Sequence, residues 1–157
     1  MLLTSTAFQQ GGPIPKRYTC EGENISPSIS WSDVPAETVS FVLILHDPDA
    51  PRPGGFTHWA VYNIPAEVGQ LIEHVPAREI LEGIGMQGLN DAGKIGYMGP
   101  CPPSGEHRYF FHVYALRDDL KLGTHVSHIQ VRSAMEELVI EHAEFMGKYK
   151  KSGEKAA

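Results

Sequence analysis

The sequence predicts a mainly antiparallel β domain carrying one helix, and three observations predict it. Runs of β-branched and aromatic residues at 39–47, at 57–64 and in the second half of 96–116 are bounded by Gly, Pro or Asn. Helical spacing is clear in one place, after Ser127. No strand–helix–strand alternation repeats along the chain, which argues against a doubly wound parallel sheet.

The 157 residues fit one domain with room for a core, expected over 1–150, with 151–157 as a flexible tail. A net charge of −6 and the lack of a basic stripe exclude bulk attraction to nucleic acid or to an anionic membrane. Any bound anion therefore needs a local site. The first residues lack the charged start and apolar run of a signal peptide, and no apolar stretch approaches the roughly 20 residues that span a bilayer. The expectation is a soluble, cytoplasmic protein with no membrane insertion. In a reducing compartment the plainer expectation for Cys20 and Cys101 is two free thiols, with a bridge, which would stabilise the fold by closing a long loop, left open.

In chain order, 2–8 reads as a first strand and 9–27, rich in Gly, Pro, Asn and Ser, as loop. Residues 28–31 alternate as a short strand, and 32–38, with Asp33 and Pro35, turn the chain. In 39–47 the residues Phe41 through Leu45 are apolar on both faces, which places this strand inside a covered sheet. Pro48 stops it, and the Pro- and Gly-rich segment 48–56 cannot be regular structure. The strand at 57–64 ends at Pro65. Residues 68–83 fit neither period, and 85–89 read as a short strand before a turn at 90–93.

The first half of 96–116 is too crowded with Gly and Pro for a helix or a central strand, whereas the second half reads as a buried strand. Alternation puts His107, Tyr109, Phe111, Val113 and Ala115 on one face. Ser127 followed by Gln130 fits a capping box, with Val131, Met135, Leu138 and Val139 at helical spacing behind it. Gly147 argues against a helix that continues, and 143–150 reads as a final strand.

Antiparallel neighbours would gather chemistry at one end of the sheet. Asp47 closes one strand, His58 opens the next, and His107 and Tyr109 open the third. Asp47 and Asp49 share the face of Phe41, Leu43 and Leu45 if the extended run survives Pro48. Two carboxylates, two imidazoles and a phenol then converge, a set that suits an anion through imidazole N–H donors. Gly99-Pro-Cys-Pro-Pro103 lacks the G-K-[ST] of a nucleotide phosphate loop and reads as a stiff wall, with Gly99 or Cys101 as N–H donors. Two other chemistries fit less well. Two His and a carboxylate make a facial metal set, but no H-x-x-x-H or C-x-x-C spacing supports one. Hydrolysis with a His base and Ser104 as nucleophile lacks a G-x-S-x-G elbow.

On residues alone the plainer readings stay open. D-P-D-A-P also fits a Pro-ordered turn with solvated carboxylates. His58 also fits a core histidine, His107 a strand-end surface residue, and Tyr109 a core phenol. His46, His74, His112, His125, His128 and His142 read as structural or solvated, and Lys148, Lys150 and Lys151 as a solvated terminus.

D-P-D-A-P at 47–51, T-H-W at 57–59 and G-P-C-P-P-S-G-E-H-R-Y at 99–109 closely resemble the phosphatidylethanolamine-binding proteins. Y-T-C-E-G-E-N-I-S-P at 18–27 resembles their bacterial and archaeal branch, the Raf-kinase-inhibitor-like proteins, and the likeness runs from about Phe8 to Tyr149. The resemblance implies a central antiparallel sheet packed on a smaller one, with Greek-key topology and a C-terminal helix and strand. It implies a pocket for phosphate-like anions and phosphorylated head groups, built here by Asp47, Asp49, His58, Gly99, Pro100, His107 and Tyr109. No metal and no cofactor is expected. The short 48–56 connection matches the microbial branch, and the C-terminal extension of eukaryotic members is not seen. Microbial members are often dimers, so a homodimer joins the expectations. The expected function is a non-enzymatic binding protein for a small phosphorylated or anionic ligand. The alternatives are a kinase or serine-protease inhibitor acting on a protein partner and, third, a metal-dependent or hydrolytic enzyme.

Overall fold

A computed structural model describes residues 1–153 of the chain. The tail expected over 151–157 therefore lies largely outside the described residues. The strands are β1 (Leu2–Thr4), β2 (Ile29–Ser32), β3 (Ser40–Asp47), β4 (Phe56–Pro65), β5 (Gln70–Leu71), β6 (Ile80–Leu81), β7 (Gly85–Gln87), β8 (His107–Leu116) and β9 (Val139–Tyr149). The helix α1 spans His128–Met135. A small sheet has the order β1-β2-β5 and a central one the order β6-β7-β4-β3-β8-β9, with every strand pair antiparallel. The fold class read from the sequence holds. Among the described residues, no helix is long and apolar enough to cross a membrane.

β3 lies between β4 and β8 and is covered on both faces, as its unbroken apolar run requires. Phe41, Leu43 and Leu45 face the small sheet and pack with Trp31, Trp59, Tyr109, Phe111 and Val113. Val42 and Ile44 face the other way, towards Ala60, Tyr62, Val131 and Met135. The predicted face of β8 is real: His107, Tyr109, Phe111, Val113 and Ala115 are all buried. At Gly147, opposite Tyr109 on β9, a Cβ would stand 2.5 Å from the Phe8 ring and 2.6 Å from Ile14, so only glycine lets the N-terminal segment close on the sheet.

Two register shifts in the β3–β4 pairing each place an extra residue on β4. One lies between the pairs Phe41↔Ile64 and Leu43↔Val61, where Asn63 takes a φ of 52° and holds Leu120 through both ends of its amide. Asn tolerates that left-handed conformation better than most residues. The other lies between Leu45↔Trp59 and His46↔Thr57, at His58.

The helix begins as read. The Ser127 hydroxyl accepts from the Gln130 amide, and the Gln130 side chain accepts from the Ser127 amide. It ends earlier than its spacing suggested. Leu138 sits in the following turn and Val139 already opens β9, so apolar residues read as one more helical turn reach the same cluster by another route. The final strand thus starts at Val139, not 143. The first strand stops at Thr4, the loop 9–27 holds a 3₁₀ turn at Lys16–Tyr18, and the unassigned 68–83 contributes β5 and β6.

The expectation of free thiols is wrong: Cys20 and Cys101 form a disulfide. The loop after the 3₁₀ turn lies directly on residues 97–101. The Tyr97 hydroxyl donates to the Tyr18 carbonyl (2.6 Å), the Gly99 amide to Asn24 Oδ1 (2.9 Å) and the Cys20 amide to the Pro100 carbonyl (3.1 Å). These bonds bring the two Cα atoms to 5.5 Å, well inside bridging range. Closing a loop of 81 residues restricts the unfolded chain by about 4.5 kcal/mol on entropy alone. The Cys20→Ala/Cys101→Ala double variant should therefore lose about 2–4.5 kcal/mol in urea unfolding. A loss below about 0.5 kcal/mol would mean that the hydrogen bonds alone set this contact.

Candidate functional site

A cavity of about 180 Å³ opens where β3 ends and where β4 and β8 begin. Asp47, His58, His107 and Tyr109 line it, with Arg52, Phe56 and Met98 beside them and Cys101, Pro102 and Pro103 forming a wall. Asp47, His58, His107 and Tyr109 are deeply buried, at 3, 5, 6 and 0 % exposure respectively, whereas Arg52 is exposed.

His107 and Tyr109 arrive by simple alternation along β8, and Asp47 by alternation along β3. His58 arrives because of the bulge. Strict alternation would put it on the face of Ala60 and Tyr62, under α1. The extra residue instead puts His58 and Trp59 on the same side, while Thr57 turns to the opposite face and hydrogen-bonds His46 (3.0 Å).

Each imidazole is fixed through Nδ1. His107 Nδ1 donates to Asp47 Oδ2 at 2.6 Å, and His58 Nδ1 donates to the Met98 carbonyl at 2.7 Å. Nε2 is thereby the remaining polar atom of each ring. The His58 ring meets Tyr109 edge-on at 5.4 Å and Phe56 at 4.8 Å, which limits its rotation. Burial lowers the His58 pKa, and the Met98 carbonyl and Asp47 only partly oppose this. Tyr109 is pushed up, first by burial and then by the Asp47 charge. Its hydroxyl is buried and, among the described residues, has no hydrogen bond of good geometry.

Not every residue expected at the pocket lines it. Asp49 turns away and forms a two-pronged ion pair with Arg108, Nε to Oδ2 at 2.9 Å and Nη2 to Oδ1 at 2.8 Å. Arg108 holds its carboxyl down at about 2. β3 ends at Asp47, so the shared face expected for Asp49 is lost in the turn. The Asp49 amide instead donates to Asp47 Oδ1 (2.7 Å). Gly99 and Pro100 sit behind the lining, not in it. The Gly99 amide is already taken by Asn24, and a Cβ there would stand 2.3 Å from the Tyr18 carbonyl oxygen. These two residues seat the wall; they do not present donors.

The sequence reading missed Arg52. Its guanidinium lies over the Phe56 ring at 5.4 Å and 3.9 Å from Asp91. An arginine inside a Pro/Gly loop that joins an aspartate-ended strand to a histidine-started one was the available signal. Among the histidines set aside, His46, His112 and His128 line a second cavity of about 330 Å³ under α1, with Arg132 and Asp91. His128 donates to Asp91 there, at 2.7 Å.

The sequence pattern of the family described as phosphatidylethanolamine-binding protein matches residues 4–150. A UPF0098 protein of Methanothermobacter thermautotrophicus is 49% identical over 151 residues, covering 96% of this chain and 99% of that one. A crystal structure of a putative phosphatidylethanolamine-binding protein homolog from Chlamydia trachomatis is 46% identical, with a TM-score of 0.87 over 96% of this chain and 97% of that one. The crystal structure of YbcL from E. coli, described as a member of the mammalian family, is 35% identical with a TM-score of 0.88 over 96% and 98%. On sequence and on fold alike, this chain belongs to the phosphatidylethanolamine-binding protein family.

Proposed function

We propose that this protein is a non-enzymatic binding protein for a small phosphorylated ligand, held in the cavity at the end of β3. One observation carries the reading: two buried imidazoles, each tethered through Nδ1, beside a buried phenol that, among the described residues, has no hydrogen bond of good geometry, in a largely apolar cavity. Tethering leaves each Nε2 to donate to a phosphate oxygen once the ring is protonated, and Tyr109 adds a neutral donor. Asp47 fixes the His107 ring through Nδ1 and so aims its Nε2. Arg52 at the rim supplies a permanent cation. About 180 Å³ suits a head group better than a whole lipid. The family's name points the same way.

Hydrolysis by a serine or cysteine nucleophile finds no support in this cavity. Ser104 is exposed and outside the lining, and Cys101 is held in the disulfide.

Calorimetric titration with O-phosphoethanolamine and with inorganic phosphate should show saturable binding, weakened about 30-fold or more by His107→Ala, the usual range for a lost charge-assisted hydrogen bond. Asp49→Asn should leave affinity within about twofold and lower stability by at most about 1 kcal/mol, since its pair with Arg108 is partly solvated. Strong loss of binding in Asp49→Asn would return that carboxylate to the site.

The pH dependence has a defined sign. His58 has a lowered pKa, so it is neutral at pH 7.5 and protonates only on acidification. A bound dianion favours the protonated ring, so binding takes up a proton. Sulfate keeps its charge throughout, so its affinity should rise as pH falls from 7.5 to 5, by at most about tenfold per pH unit for each proton taken up. A phosphate monoester loses its second charge near pH 6 and should show an optimum instead. A flat sulfate profile would remove the imidazoles from the binding step.

A further inference from the structure

The face of the central sheet opposite the anion cavity carries a second cluster. In the β8–β9 register, His112 pairs with Glu144 and Tyr114 with His142, so His112, His142 and Glu144 project from the same face. His112 Nδ1 lies 2.8 Å from His142 Nε2 and 3.6 Å from Glu144 Oε2, and the three donor atoms all fall within 4.8 Å of one another. No other His, Cys, Asp or Glu set among the described residues is grouped this tightly.

We propose that His112, His142 and Glu144 form a binding site for a divalent transition cation of the zinc class. Zinc takes imidazole nitrogen and carboxylate oxygen at about 2.0–2.2 Å, which in tetrahedral geometry sets donors about 3.3 Å apart. The His112–His142 and His112–Glu144 separations, 2.8 and 3.6 Å, straddle that spacing, so small side-chain shifts bring these donors to tetrahedral spacing. The set is mixed imidazole and carboxylate, which favours zinc or its neighbours over magnesium and calcium. Three protein donors leave a fourth position for water.

The rings are held in place without backbone hydrogen bonds at the donor atoms. His112 stacks between Phe110 and Tyr114, at 6.0 Å from each, and His142 stacks on Tyr114 at 4.5 Å and on His112 at 5.0 Å. Arg132, a cation on the same face of the sheet, is engaged with Thr57 at 3.2 Å. The N–H now shared between the two rings moves to the far nitrogen of its own ring when the cation takes its place, so each neutral imidazole keeps one proton. Bound there, the cation would bridge β8 and β9 on the face that does not touch the anion.

The test is calorimetry with zinc chloride at pH 7.5, on the full chain freed of metal with a chelator and dialysed. One zinc per chain is expected, with affinity lowered at least tenfold by His142→Ala and by Glu144→Gln, both exposed positions that should fold normally. His107→Ala should leave zinc binding unchanged, and His142→Ala should leave phosphate binding unchanged, so a failure of this site and a failure of the anion reading are separately visible. No saturable zinc binding would overturn the proposal. So would binding that survives His142→Ala, or binding that is lost in His107→Ala instead.

Discussion

A carboxylate sealed inside a sheet has to be paired, and Asp47 imposes that condition at the end of β3. One oxygen takes the His107 ring and the other takes the Asp49 amide. The first contact sets the tautomer and angle of His107. The second turns the chain out of the strand and aims Asp49 at Arg108, which anchors the start of β8 from outside. Both walls of the cavity are thereby referenced to one buried charge. Removing a partner of such a charge costs about 3–5 kcal/mol, which gives the arrangement its rigidity.

The central sheet separates two chemistries because side chains alternate. On one face β8 delivers His107 and Tyr109, on the other Phe110, His112 and Tyr114. β4 departs from the rule at its two bulges, and the one at His58 brings that imidazole into the cavity at the end of β3. Without the bulge, the cavity would have one imidazole and the face under α1 would have another. A local departure from the regular ladder thus supplies one of the two imidazoles of the proposed donor set.

The parts of the fold with strong periodicity were readable in advance. The two-sided apolar run of β3, the alternation of β8 and the Ser127/Gln130 box all correspond to what formed. Short strands such as β5 and β6 were not readable, since two residues carry no period. Asp47, His58, His107 and Tyr109 could be brought together from strand ends alone, and the cavity contains all four. Asp49, Gly99 and Pro100 travelled with the same motifs but support the site from behind it. A motif records which residues are needed without saying whether each one faces the ligand or holds its neighbours. The disulfide escaped because it depends on a loop-to-loop contact between residues 81 apart. The His112, His142 and Glu144 cluster escaped because its members meet only through the β8–β9 register.

The central claim is that the ring nitrogens of His58 and His107 meet the anion through Nε2 while Nδ1 stays tethered. The most direct measurement is nitrogen NMR on protein labelled in its histidine rings, titrated with O-phosphoethanolamine at pH 6.5. The account predicts saturable shifts at Nε2 of His58 and His107, small changes at their Nδ1 atoms, and still signals from His112 and His142. Shifts confined to other histidines, or none at saturating ligand, would contradict it.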